Sequence, residues 1–133
     1  MTDEKTLFLL ANEERKNSYS PYSGITVGAA LLCASGKIYL GSNIENSSFS
    51  PTVCAERVAF FKAISEGERD FVAIAVAGGA RECEPKAQFP PCGVCRQVMA
   101  EFCRPDFKII FGEGKTLTLS ALLPYGFTGD SIK

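Results

Sequence analysis

Phe71-Val72-Ala73-Ile74-Ala75-Val76-Ala77 is a continuous apolar stretch with none of the polar alternation of a half-exposed strand. Such a run belongs to a strand covered on both faces. A sheet covered on both faces needs helices above and below it. Upstream, Pro51 suits the first turn of a helix predicted from Thr52 to Glu66. Downstream, Pro90-Pro91 opens a second helix, predicted from Cys92 to Cys103. Further out, Ile25 to Cys33 reads as an apolar strand. The tight turn Ser35-Gly36 returns it through Lys37 to Gly41 as a hairpin. An amino-terminal helix is predicted from Asp3 to Asn17, with Leu7, Leu10 and Ala11 on its apolar face. The turn Tyr19 to Gly24 ends it, and Asn43 to Pro51 and Gly78 to Phe89 read as loops. Lys108 to Phe111 and Thr116 to Leu119 are short strands, and Ser120 to Pro124 is a final helical turn. The alternation predicts a layered α/β fold around one sheet, with residues 1–133 as a single domain.

Composition limits the partners. Hydrophobic residues make up 46% of the chain and charged residues 22%, the balance of a soluble globular protein. The net charge is −1 and the Lys and Arg residues are scattered, so the basic footprint of a polynucleotide binder is missing. Small molecules are the expected partners. No apolar run approaches the roughly 20 residues of a membrane span. Met1-Thr2-Asp3-Glu4-Lys5 lacks the basic and then apolar pattern of a signal peptide. Disulfide frameworks belong to small secreted domains with weak cores, so the six cysteines are expected to be reduced thiols in a cytoplasmic protein.

Two segments carry the chemistry: Cys54-Ala55-Glu56, and Pro91-Cys92-Gly93-Val94-Cys95. Three protein ligands with one open position are how a catalytic zinc is held, whereas a structural zinc takes four. A carboxylate beside the first ligand is placed to carry protons for a metal-activated water. Both thiol groups fall where predicted helices begin, and the partial positive charge there lowers thiol pKa values. Arg57 and Arg96, each next to a candidate ligand, are positioned to add hydrogen bonds or compensating charge. One spacing is awkward. Residues i and i+2 lie on nearly opposite faces of a helix, so Cys54 and Glu56 meet one metal only if Cys54 sits in an irregular first turn.

Plainer readings stand beside this one. Cys92-x-x-Cys95 alone also fits a zinc knuckle or a redox pair at a helix start. Cys83, Cys92, Cys95 and Cys103 would form a closed four-thiol zinc site, with Cys54 left to the core. Such a site would serve a non-catalytic zinc-stabilised interaction module. Otherwise Cys33 reads as core packing, Cys83 as a loop thiol and Cys103 as a small buried hydrophobe. Asn43 and Glu45 read as a polar turn after a strand, and Phe127 as an apolar residue near a tail.

Zinc nucleobase deaminases carry a signature H-x-E…P-C-x-x-C, with a three-cysteine variant. Cys54-Ala55-Glu56…Pro91-Cys92-Gly93-Val94-Cys95 resembles that variant. The likeness extends through Ser20-Pro21-Tyr22-Ser23, Val27-Gly28-Ala29-Ala30, Asn43-Ile44-Glu45-Asn46, Cys95-Arg96-Gln97 and Leu122-Leu123-Pro124. In order along almost the whole chain, these segments resemble the small homotetrameric cytidine deaminases. The resemblance implies a three-layer α/β/α domain with a mixed sheet of about five strands. It implies one Zn²⁺ per subunit on Cys54, Cys92 and Cys95, with Glu56 as the proton shuttle. It further implies that Asn43 and Glu45 hydrogen-bond the ribose hydroxyls and that the Ala55 backbone meets the base. Arg57 resembles an arginine that hydrogen-bonds ligand thiolates, and Phe127 an aromatic residue supplied by a neighbouring subunit. The implied reaction is hydrolytic deamination of cytidine and 2′-deoxycytidine in pyrimidine salvage. The alternative within the same class is a cytosine-bearing antibiotic such as blasticidin S, against which the Asn43/Glu45 pair speaks. Two positions depart from the family. Ile25 replaces a Phe that packs on the base, leaving an apolar wall without stacking. Phe49 replaces a Tyr found in some relatives and removes a hydroxyl.

Overall fold

The computed structural model describes residues 1–133. In chain order the main elements are α1 (Glu4–Glu14), β1 (Ile25–Cys33), β2 (Ile38–Ser42), α2 (Ala55–Ser65), β3 (Phe71–Ala80), α3 (Gly93–Phe102), β4 (Lys108–Gly112), β5 (Lys115–Thr118) and α4 (Leu119–Leu122). The strands form one sheet in the order β2-β1-β3-β4-β5. Only β3 and β4 run parallel; the other neighbours are antiparallel, so the sheet is mixed. A parallel pair needs a crossover, and α3 supplies it.

The apolar run of β3 is central, as predicted, and it conceals an alternation of size. Ala73, Ala75 and Ala77 face one way and join Leu7, Phe8 and Ala11 of α1 in one cluster. Ile74 and Val76 face the other way and join Ala59, Phe60, Cys95 and Met99 of α2 and α3. The result is three layers: α1, the sheet, then α2 with α3. The alanine face lets α1 lie close, and Gly28 of β1 makes the same accommodation. A Cβ there would sit 1.9 Å from the Ala11 carbonyl oxygen. Gly41 of β2 performs this role for α2, since its Cβ would meet the Ala55 carbonyl oxygen at 2.3 Å.

Boundaries differ from expectation where backbone pairing overrides local pattern. Helix α2 starts at Ala55 rather than Thr52, and Pro51 lies in a turn before it. The cause is Val53, which exchanges both backbone hydrogen bonds with Ile44, each at 3.0 Å, and is thereby held extended. Strand β3 continues to Ala80 because β1 pairs with it as far as Ile25↔Ala80, so the loop expected from Gly78 begins later. On α1 the buried face is Leu7, Phe8 and Ala11, and Leu10 packs at its edge. The Asp3 side chain caps that helix by accepting from the Thr6 N–H at 2.7 Å. No helix is long and apolar enough to cross a membrane.

Candidate metal centre and active site

Helices α2 and α3 begin in the same way. Cys54 and Cys92 are their N-caps, with extended backbones at φ −75°, ψ 154° and φ −68°, ψ 170°. Neither thiol caps its own helix. The first ladder bonds are Val58 N–H to Cys54 O at 3.2 Å and Arg96 N–H to Cys92 O at 3.0 Å. The amides of residues 55–57 and 93–95 therefore precede both ladders, and two helix amino termini contribute positive potential to one place.

The thiols of Cys54, Cys92 and Cys95 converge there, all within 4.8 Å of one another. Cys54 Sγ lies 3.7 Å from Cys92 Sγ, which lies 3.6 Å from Cys95 Sγ. A tetrahedral zinc with Zn–S bonds of about 2.3 Å requires sulfurs roughly 3.8 Å apart. Two of the three sulfur separations thus match the edge of a zinc tetrahedron, and soft sulfur donors favour that metal. Cys83 is exposed and Cys103 half-buried, and neither belongs to the cluster. The four-thiol arrangement does not assemble. Cys33 is fully buried in the core, and all six cysteines are free.

Arg57 closes one side of the cluster. Its Nη2 donates to Cys54 Sγ at 3.4 Å, while its Nε is buried without a partner. An unpaired buried donor beside three sulfurs fits a centre of net negative charge, which three thiolates around Zn²⁺ would have. Cys54 is already drawn down to about 5, first by the hydrogen bond from the Cys95 thiol and then by Arg57. Cys95 is pushed the other way by that same hydrogen bond and by burial. Arg96 does not take part. Its Nε and Nη1 donate to the carbonyls of Pro91 and Leu122, at 2.8 and 2.7 Å, and tie α3 to the chain on either side.

Glu56 is 3% exposed at the first turn of α2. Burial, reinforced by the Cys54 charge, raises its carboxyl to about 7, against the pull of Cys95 and Arg57. A carboxyl in that range can take and return a proton near neutrality. The spacing difficulty between Cys54 and Glu56 dissolves here. Cys54 is not in a distorted helical turn; it is outside the helix, on extended backbone, where the 3.6-residue period does not apply.

The segment carrying Asn43 and Glu45 runs alongside, because Ile44 between them pairs with Val53, the neighbour of Cys54. Both side chains are held by the protein. Asn43 Oδ1 accepts from the Val27 N–H at 2.9 Å and from Ser18 Oγ, and its Nδ2 donates to the Ile25 carbonyl at 2.9 Å. One Nδ2 proton remains unused. Glu45 Oε1 accepts from the N–H groups of Tyr22 and Ser23 at 2.9 and 3.1 Å, and Oε2 accepts from Ser23 Oγ. The Ser23 hydroxyl, foremost, keeps this carboxylate below its usual range. Ala55 is fully buried, and Ile25 packs half-buried against the α2–α3 core. Phe127 stands apart: its ring is exposed, and its carbonyl accepts from Gln97 of α3 at 2.8 Å. Phe49 is exposed and meets Tyr22 edge-on, with ring centroids 6.3 Å apart. Reading the sequence for chemistry overlooked Ser18, Ser23 and the Tyr22 amide. The only signal for Ser23 and Tyr22 was the Ser20-Pro21-Tyr22-Ser23 match, which assigned them no role, and Ser18 had none.

Residues 1–112 match the family model described as the cytidine and deoxycytidylate deaminase zinc-binding region. The chain belongs to that family. Among curated members it is 47% identical to the cytidine deaminase of Halalkalibacterium halodurans, over 98% of each chain. It is 32% identical to a blasticidin-S deaminase of Bacillus cereus, over 77% of this chain and 76% of that one. The crystal structure of a cytidine deaminase from Burkholderia pseudomallei superposes with a TM-score of 0.86 at 37% identity, covering 95% of this chain and 100% of that chain. The three-layer fold with its mixed five-stranded sheet is the fold of this deaminase family, whose model covers a zinc-binding region, and the three-thiol cluster could hold such an ion.

Proposed function

We propose that this chain is a zinc-dependent hydrolase that converts cytidine and 2′-deoxycytidine to uridine and 2′-deoxyuridine. The observation that carries the proposal is a tetrahedral-edge triad of thiols beside a nearly inaccessible carboxyl, Glu56. Cys54, Cys92 and Cys95 would hold the metal, which when bound supplies Lewis-acid activation of water. Glu56 accepts the proton of the attacking water at its carboxylate. It delivers that proton to ring N3, then takes the second proton, from the new C4 hydroxyl, and delivers it to the amine; the C4–N bond breaks, and the products are uridine (or 2′-deoxyuridine) and ammonia. Burial is what suits Glu56 to this cycle, because a solvated carboxylate would hold protons too weakly at neutral pH. Arg57 offsets the thiolate charge. Asn43 and Glu45 take the ribose hydroxyls, the Ala55 backbone meets the base, and Ile25 forms an apolar wall beside it.

In this reading residues 1–133 act as one domain within a homotetramer, and Phe127 of one subunit covers the site of its neighbour. The setting is the cytoplasm and the role pyrimidine salvage, with no nucleic acid polymer or membrane as partner. The likeness to a blasticidin-S deaminase supports a second reading, in which a cytosine-bearing antibiotic is the substrate. The Asn43/Glu45 pair, presenting sugar-directed polar groups, favours the nucleosides. A substrate panel of cytidine, 2′-deoxycytidine and blasticidin S on zinc-loaded protein tests both. Loss of the cytidine absorbance band with uridine appearing is the expected result. No turnover of either nucleoside would sink the first reading, and turnover of blasticidin S alone would establish the second.

A further inference from the structure

Arg81 follows the last residue of β3 and touches neither the thiol cluster nor the core. Its hydrogen bonds all go to one short turn. The Arg81 N–H donates to the Gly24 carbonyl at 2.9 Å, and Nη2 donates to the Ser20 carbonyl at 2.7 Å and Ser20 Oγ at 3.4 Å. Ser20 and Gly24 are the two ends of the turn that holds Glu45, and they are joined by Gly24 N–H to Ser20 O at 3.1 Å. Gly24, at φ +70°, sits in the left-handed region that closes it. Between those ends lie Tyr22 and Ser23, whose amides and hydroxyl make the cradle for the Glu45 carboxylate. A second line runs from the same guanidinium. Ser20 Oγ lies 3.2 Å from Ser18 Oγ, and Ser18 Oγ donates to Asn43 Oδ1.

One cation thus braces both side chains of the sugar-directed pair, Glu45 through the turn and Asn43 through two serine hydroxyls. Both side-chain bonds leave one nitrogen, Nη2, whose two protons reach the Ser20 carbonyl and hydroxyl together. Its positive charge also lies close enough to favour the ionised form of Glu45. No acidic residue forms a salt bridge with Arg81. Its Nη2 bonds go wholly to the turn.

We propose that Arg81 is a positioning residue for sugar recognition, setting affinity for the ribose through Glu45 and Asn43 without touching substrate. The inference rests on the nucleoside reading above. Its test compares cytidine with 2′,3′-dideoxycytidine, which lacks both hydroxyls, on zinc-loaded wild type, Arg81→Ala, Arg81→Lys and Glu45→Gln. Losing one charged hydrogen-bonding brace should raise the cytidine KM about tenfold in Arg81→Ala. The kcat should stay within about twofold and the dideoxycytidine KM should barely move, because the lost contacts serve only the hydroxyls. Arg81→Lys keeps the charge but replaces the planar NH₂ with an ammonium on a different stem, so it should show the same split at about threefold. If Arg81→Ala does not fold, Arg81→Lys carries the test. A KM rise equal for both nucleosides, or a fall in kcat alone, would overturn the proposal by making Arg81 a general structural residue. If Glu45→Gln raises the cytidine KM and the Arg81 variants do not, Arg81 has no such role. If Glu45→Gln itself leaves cytidine unaffected, the sugar-binding reading of Glu45 fails instead.

Discussion

The amino termini of α2 and α3 begin alike and then diverge. Each opens with a cysteine N-cap on extended backbone. In α3 the second functional group is a thiol three residues on, Cys95. In α2 it is a carboxyl two residues on, Glu56. The third position of a helix is where an N-cap side chain naturally reaches, so Cys92 and Cys95 point to one place, with sulfurs 3.6 Å apart. The second position instead turns toward the sheet, and Glu56 is buried there beside the cluster. A one-residue change in offset separates a pair of thiols from a thiol with a buried carboxyl, the difference the proposed roles rest on. Both helix starts are needed, because neither alone brings three sulfurs together.

Replacing the buried ligand should give the largest effect. Cys95→Ser should lose zinc and all turnover above background, measured by metal analysis and uridine formation. It would also leave a hydroxyl at a fully buried site, at a stability cost of about 1–3 kcal/mol. Full activity with full zinc would break the pairing of the two helix starts. Glu56→Gln comes next. It should keep stoichiometric zinc and lower kcat by about 10²–10⁴-fold, the span of a general acid/base. Loss of zinc in that variant would erase the distinction between the two offsets.

Gly41→Ala addresses how α2 is seated. Its Cβ would lie 2.3 Å from the Ala55 carbonyl oxygen and 2.7 Å from the Ala59 nitrogen, so the helix must move. A loss of about 1–3 kcal/mol by denaturant titration is expected for such overpacking, together with weaker zinc retention in a chelator. Unchanged zinc retention would mean that the α2 start is fixed by Val53 and Ile44 alone. The smallest effect is on the fold of Cys54→Ser. Serine is a good N-cap, so the metal-free variant should melt within a few degrees of metal-free wild type while failing to bind zinc. A large drop in melting temperature would show that the Cys54 thiol also serves the core. Acid should act on both starts together. Zinc takes its sulfur ligands as thiolates, and protons still held by the cluster must leave, so affinity measured against a competing chelator should fall as pH falls. Burial and the hydrogen bond to Cys54 hold the proton on Cys95, so that thiol contributes to the dependence.

Much of this was readable in order along the chain. Continuous apolar character identified β3 as central, and the cysteine spacing marked both helix starts as the place for chemistry. The errors fell where distant backbone decides local conformation. Val53 is extended because Ile44 pairs with it, so the proline four residues before Ala55 does not begin the helix. Arg96 looked like a partner for the thiols, yet the Pro91 carbonyl and the Leu122 carbonyl at the end of α4 take its donors. Arg81 carried no signal, because its importance lies in contacts across 61 positions of sequence with Ser20.

The sequence by itself determined residue types and periods: a layered α/β chain, three thiols, one adjacent carboxyl, and the family pattern that contains them. Those follow from side-chain chemistry and short-range spacing, which need no partner. Tertiary structure alone decided which thiols meet, that Cys83 and Cys103 stay outside, that Glu56 is buried, and that Asn43 and Glu45 are held by Ser18, Ser23 and backbone groups of β1 and the turn before it. Each of these depends on the register of β1 against β3 and on helices seated over Gly28 and Gly41. Long-range pairing sets such contacts, and no local pattern encodes them.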